Sequence, residues 1–374
     1  MNIDLFALPA SQKYCIAALA FIFILLCGQS YAESNSVFLS QFGIGNLGTA
    51  DQSDPTTRNN TIIQLQTGIN NTSEITQVNG TSDSAIKHVQ VGIGNTTTTL
   101  SQDNSTAVYL NIIQIGSENL MSSIQLDSNG STGLLSQLGQ ANDATILHIN
   151  SSNDKAIIFQ QGFSNISAIN QFQGSNNNTF MAQYGSSNMA ISFQFPSSHS
   201  DIYATQYGAG NSAGLVQQLN SFDYLSVLQL GDNNIGNATQ LFGSNNTLST
   251  IQLGSHNLSS TTQINTSFSK ANVSQTGISN LSTAQQTGFF NGIFIGQIGI
   301  ENNTNIIQDG DFLSANILQL GTLNTISAEQ TGNLNTAFIA QLGIANNHQL
   351  SQSASNNSAL ALQTGTGNNG SISQ

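Results

Sequence analysis

Apolar and polar residues alternate along most of this chain with a period of two, and Gly and Asn interrupt the alternation at short, even intervals. The clearest stretch, Ala315 to Asn346, reads ANILQLGTLNTISAEQTGNLNTAFIAQLGIAN. In it the positions two and four residues before Gln319, Gln330 and Gln341 are Ala315 and Ile317, Ile326 and Ala328, Ala337 and Ile339. That alternation predicts a β-strand with one buried face leading into each Gln. Two residues after each Gln stands a Gly, which adopts backbone angles closed to other residues; five after it stands an Asn, which tolerates those angles or bonds its own backbone. The segment between is therefore a turn.

Followed outward, the leading Gln recurs at thirty positions from Gln41 to Gln374, and only His148 departs from it. From Gln114 to Gln275 the steps alternate 11 and 12 residues, a repeat of 23; from Gln275 onward every step is 11, a repeat of 22. Repeats of this length predict a solenoid, because one unit cannot bury its apolar face without the next. The expected fold is all-β: a cross-β solenoid of two parallel sheets, built from strand–turn–strand repeats in about 15 layers. The complete Gln-x-Gly-x-x-Asn pattern occupies 17 of the thirty sites. The candidate structural residues are taken from seven of them: Gln41, Gly43 and Asn46; Gln114, Gly116 and Asn119; Gln206, Gly208 and Asn211; Gln229, Gly231 and Asn234; Gln319, Gly321 and Asn324; Gln341, Gly343 and Asn346; Gln363, Gly365 and Asn368. The 14-residue step from Gln52 to Gln66 holds Pro55 and Arg58 and reads as a loop excursion, and Pro196 falls where a turn is expected.

A buried amide without a partner costs roughly 1–3 kcal/mol, so a Gln repeated at every inward strand end needs a systematic partner. In-register parallel stacking supplies it, each Gln donating to one neighbour and accepting from the other. The pattern reaches Gln374, so the last layer is expected to offer an unpaired edge to another molecule. Scattered charges such as Asp232 and Lys270 read as solubilising residues on turns or outer faces.

Residues 1–32 are set apart from this pattern. Lys13, an apolar run from Cys15 to Leu26 and the small residues at Ser30 and Ala32 predict a secretory signal peptide, leaving a repeat domain at 33–374. Both cysteines lie in the leader, so the exported chain has no disulfides. Beyond the leader, four basic side chains face 17 acidic ones, which argues against nucleic acid as a partner, and no later stretch is apolar enough for stable membrane insertion. His88, His148, His199, His256 and His348 lie far apart and read as incidental turn or ladder residues; Asp309-Gly310-Asp311 is a lone acidic turn. No catalytic, metal or cofactor site is expected.

The segment DIYATQYGAGNSA, Asp201 to Ala213, with its alternating strand, Gln-x-Gly-x-x-Asn and a small residue at plus seven, resembles the repeat of the curlin family, the subunits of bacterial curli fibres. The 23-residue region looks like the major subunit and the 22-residue region like the minor, nucleating one; the sequence assigns neither. The resemblance implies a secreted subunit of functional amyloid at the surface of a Gram-negative bacterium, serving biofilm and adhesion. Its implied partners are itself, a second curlin subunit, and an outer-membrane secretion pore with accessory factors. The chain departs from familiar subunits in its larger number of repeats and in having only Glu33 to Ser36 before the first. The rival reading is a secreted monomeric solenoid that binds ice, carbohydrate or a surface.

Overall fold

The computed structural model describes residues 34–374; the expected leader, 1–32, lies outside the described residues. Thirty strands follow one another, numbered in chain order from β1 (Ser36–Ile44) and β2 (Leu47–Asp51) to β29 (Ser358–Thr366) and β30 (Asn369–Ser373). Odd-numbered strands form one 15-stranded parallel sheet and even-numbered strands a second, each strand hydrogen-bonded to the next of its own parity. The described residues thus form a β-solenoid of 15 rungs, each contributing one strand to each sheet.

Register follows the amide spacing. Gln41 lies opposite Gln66 and Gly43 opposite Gly68, and the same residues face one another down the odd-numbered sheet as far as Gln363 and Gly365. Inward positions alternate with exposed ones, placing Ile62, Ile112, Ile158, Ile202, Ile295 and Ile339 in a continuous core between the sheets. This core is narrow, filled by Ile, Leu, Val and Ala and edged by buried Gln and Asn. The change from a 23- to a 22-residue repeat is absorbed inside the even-numbered sheet: a register shift between Ile264 and Thr266 sets β20 (Leu258–Ser267) against β22 (Leu281–Phe289). The extra residue is bulged out of the ladder, so the inward set is not flipped to the outside.

Two local expectations need correction. The left-handed backbone falls on the Gly two residues after Gln and on the residue four after it, such as Glu118, Ser187 or Leu323, not on the Asn. The Asn is free to turn its side chain inward. Pro196 lies within β14 (Met189–Ser198), not in a turn. The strand tolerates it because Phe195 pairs with Gln218 and Ser197 with Asn220, leaving the position between them out of the ladder.

Each turn Gly sits directly over the carbonyl of the Gly one rung on. A Cβ on Gly208 would lie 2.1 Å from the Gly231 oxygen, and the backbone there has φ +115°. Gly208→Ala therefore combines left-handed strain with a backbone clash and should destabilise the solenoid by about 3 kcal/mol or more. Hydrogen exchange should show the loss concentrated in β15 (Asp201–Ala209) and β17 (Tyr224–Asp232), with amides near β3 (Thr61–Ile69) still protected. Uniform protection, unchanged from the parent, would contradict the close-approach account.

Candidate functional site

The inward Gln side chains are joined into two rows. In the odd-numbered sheet each Nε2 donates to the Oε1 of the next rung without interruption, from Gln41 to Gln66 (2.6 Å) through Gln206 to Gln229 (2.7 Å) and Gln319 to Gln341 (3.0 Å) to Gln341 to Gln363 (2.7 Å). The second Nε2 hydrogen crosses to a main-chain carbonyl of the facing sheet, as from Gln160 to Asp143 (2.8 Å) and from Gln229 to Ser212 (2.9 Å). From Gln66 onward these carbonyls orient the amides of this sheet the same way. An oxygen in place of Nε2 would face another oxygen, which excludes Glu from the row.

The even-numbered sheet repeats the arrangement from Gln52 to Gln374 with one substitution. Gln125 Nε2 lies 3.4 Å from His148 Nδ1, while His148 Nε2 and Gln171 Oε1 have no partner at bonding distance. A neutral imidazole accepting at Nδ1 keeps the row's direction; a second ring proton would set donor against donor.

The Asn side chains form a third row with the opposite sense. Asn211 Nδ2 donates back to Asn188 Oδ1 (3.1 Å) and forward to the Gly231 carbonyl (2.6 Å), and its backbone N–H also donates to Asn188 Oδ1 (3.1 Å). The triads at Gln114, Gly116 and Asn119, at Gln229, Gly231 and Asn234, at Gln319, Gly321 and Asn324, and at Gln341, Gly343 and Asn346 are built alike.

The end rungs differ only in lacking one neighbour. Gln363 Nε2 and Gln374 Nε2 donate to Asn347 O (2.9 Å) and Ser358 O (3.1 Å) but reach no further Gln. At the other end Gln52 Oε1 has no donor among the described residues, and Gln41 heads its row with its own Nε2 given to Gln66. One end therefore presents amide N–H and the other amide oxygen. Asn46 at the first end and Asn368 at the last carry the complementary ends of the Asn row.

Residues 313–343, which hold the motifs at Gln319, Gln330 and Gln341, match the family of the curlin associated repeat. That stretch carries the curlin associated repeat. Comparison with curated proteins gives no match. Repeat and fold together fit a curli-like structural protein, and no helix among the described residues is long and apolar enough to cross a membrane.

Several polar groups of the chain lie where the spacing gave no warning. His88 and His348 are interior residues, not turn or ladder residues. His88 is clasped between Ser73 Oγ (2.9 Å from Nδ1) and Thr97 Oγ1 (3.0 Å from Nε2), and burial holds its pKa down to about 4. Burial holds His148 at about 4 as well. No group of three or more His, Cys, Asp or Glu that could hold a metal occurs among the described residues. Asp154 and Asp223 are buried in the other turn, replacing the Asn found there at Asn177 and Asn246. Their Oδ1 atoms accept from the next rung's backbone N–H, but each Oδ2 is orphaned where Asn177 donates to the Ser197 carbonyl (2.9 Å), and desolvation raises both pKa values to about 6. A protonated Asp can donate as the amide does.

The two sets oppose one another. The His residues stay neutral when folded, so the stability they contribute is complete above pH 6.5 and is lost as pH falls toward 4. Asp154 and Asp223 bind protons more tightly when folded, so their cost at neutral pH, on the order of 3 kcal/mol each, is relieved as pH falls through 6 toward 3.8. Between pH 6.5 and 4 these two effects offset one another in part in the parent chain. Asp154→Asn with Asp223→Asn should be more stable at pH 7 and lose stability on acidification, as read by denaturant midpoints at pH 7 and pH 5. A double variant no more stable than the parent at pH 7 would overturn the assignment.

Proposed function

We propose that this protein is a self-assembling structural subunit of an extracellular curli-like amyloid fibre, serving as biofilm matrix and in surface adhesion, with homopolymerisation by end-to-end stacking. The observation that carries this reading is the complementarity of the two end rungs. Placing β1 and β2 of one molecule on β29 and β30 of another sets Gln41 Oε1 and Gln52 Oε1 opposite the N–H groups of Gln363 and Gln374, continuing both rows. The same placement aligns Val37 and Leu39 with Ala359 and Ala361, the residues at matching offsets before Gln41 and Gln363. A contact between unlike faces related by translation does not close on itself and generates a filament. Export behind the leader at 1–32 and passage through a curli-type outer-membrane pore, in the company of a second curlin subunit, belong to the same proposal and rest on the family.

Gly365 offers an end-specific test. A Cβ there would meet only Asn368 Nδ2 at 3.6 Å, whereas the same atom on Gly343 would lie 2.0 Å from the Gly365 oxygen. In a stacked joint Gly365 takes the buried geometry of Gly343, against Gly43 of the incoming molecule. Gly365→Ala should therefore leave the isolated solenoid folded apart from its local φ strain and reduce fibre elongation at least tenfold; Gln41→Leu and Gln363→Leu should slow it as well. Dye-binding growth curves on parent seeds, with negative-stain micrographs, read this directly. Parent chains that remain single rods at all concentrations would point instead to a monomeric binder, and undiminished growth of Gly365→Ala would rule out stacking through this face.

A further inference from the structure

One turn of every rung, between the even strand and the odd strand that follows, contains a residue with left-handed backbone. Down the first part of the chain this column reads Asn59, Asp83, Ala107, Gly130, Asn153 and Asn176, mostly small or amide residues that suit such angles. From the eighth rung it changes character. Phe222, Phe268, Phe290, Phe312 and Leu334 occupy the same place, with φ between 55° and 61°, and Asn245 is the one amide among them. Bulky side chains at positive φ are outliers that persist where something compensates for their strain. Nothing in the fold requires them, since Asn153, Asn176 and Asn356 make the same turn.

These five side chains are also exposed, between 50% and 59% each. The rings of Phe268, Phe290 and Phe312 stack on one another with centroids 5.1 and 5.0 Å apart and planes within 8° of parallel. Stacking consumes the ring faces and leaves the edges outward. That geometry is wrong for a sugar platform, which needs an open face, and right for a second row of edges with the same spacing. The structure supplies such a row in every copy. From His199 to Asn356 the column itself carries no Asp, Glu, Lys or Arg, and the acidic groups sharing a turn with Phe312 are Asp309 and Asp311. About 100 Å² of each side chain stays in solvent, so one column offers about 500 Å² and pairing two buries about 1,000 Å², the lower bound for a specific contact. Side-by-side solenoids repeat the contact along their length, so weak pairing per molecule becomes strong in an array.

We infer that the Phe222–Leu334 column is a lateral docking surface through which two copies of this chain pair side by side, ring edges interdigitating as in a dry zipper between sheets. It is a surface distinct from the end rungs, and it operates whether or not those rungs stack.

The test replaces Phe222, Phe268, Phe290, Phe312 and Leu334 together by Asn, the residue the same turn carries at Asn153, Asn176, Asn245 and Asn356, so the variant retains the fold; circular dichroism and the melting temperature verify this. Electron micrographs of the parent should show rods or fibres at least two solenoids wide. The variant should show single-solenoid width, with at least a tenfold fall in the paired fraction and an unchanged elongation rate on seeds. If no fibres form at all, the end-stacking reading fails on its own, and sedimentation velocity still decides pairing: the parent should sediment as a side-by-side dimer and the variant as a monomer. Parent rods of single width, or a variant that pairs as well as the parent, would overturn the inference, and an isolated parent that stays monomeric while retaining polysaccharide would overturn it in favour of a ligand surface.

Discussion

The structure depends on one constraint: a buried carboxamide must find both a donor and an acceptor, and here the next rung supplies them. Gln206 illustrates it. Its Nε2 gives one hydrogen to Gln229 and the other to the Met189 carbonyl, and its Oε1 receives from Gln183, so all strong valences are filled inside the stack. Remove a neighbouring rung and each Gln loses a bond that water cannot easily replace in the interior. The interaction is therefore a nearest-neighbour term between identical units, the condition under which a solenoid's stability grows by addition of rungs. Hydrophobic burial adds to it, but the inward set is rich in Ala and small polar residues, as at Ala190, Ala213, Ala238 and Ser282, and does little to select register by shape. The amides select it, since a slip of one residue would place Gln against the aliphatic row.

Opposed orientation of the rows matters for the end faces. Along the rows, each Gln amide donates to the Gln of the next rung and each Asn amide to the Asn of the preceding one, the second Asn hydrogen going forward to a Gly carbonyl. Parallel strands carrying only one such row would accumulate a dipole with every rung. Here the Gln rows run against the Asn row and part of that moment cancels. The cancellation also makes the end faces patterned, with donors and acceptors side by side on each. A joint built on such a face fixes orientation as well as position.

The architecture was legible because its signal is periodic. Strand, turn and inward face all follow from the distances between Gln, Gly and Asn, and the 23-to-22 change was visible before its structural cause, the bulge between Ile264 and Thr266. What escaped the spacing has a common physical origin. The direction of the amide rows depends on which carbonyls of the facing sheet lie nearby, such as Leu120 O near Gln137, and one chain's sequence does not display that alignment until the two sheets are set against each other. His88 and His348 could be placed inside only by noticing that they sit an even number of residues before Gln90 and Gln352. Asp154 and Asp223 escaped for the opposite reason: their turn varies from rung to rung among Asn, Ser, Asp, Val and Leu, so no rule marked it as buried. Pro196 misled because a position left out of the ladder is not the same as a position outside the strand.

Taken together, the polar exceptions show how much irregularity a repetitive core tolerates. His148 is tolerated as a neutral imidazole that accepts from Gln125 at Nδ1, and the row breaks on its far side, where His148 Nε2 and Gln171 Oε1 stay unpaired. Gln64 occupies an inward place and leaves both amide atoms unpaired, yet it lies one rung from Gly48, whose missing side chain would otherwise sit 2.5 Å from Gln64 Nε2. Near the other end His348 stands in the same relation to Gly370, where a Cβ would lie 2.9 Å from its Nδ1. In both places a large polar group is accommodated by deleting its neighbour, so total volume is conserved while hydrogen bonding is not. Compensation of this kind works only between adjacent rungs. Local volume and local hydrogen bonds are thus what this fold regulates, and the number of rungs is left open.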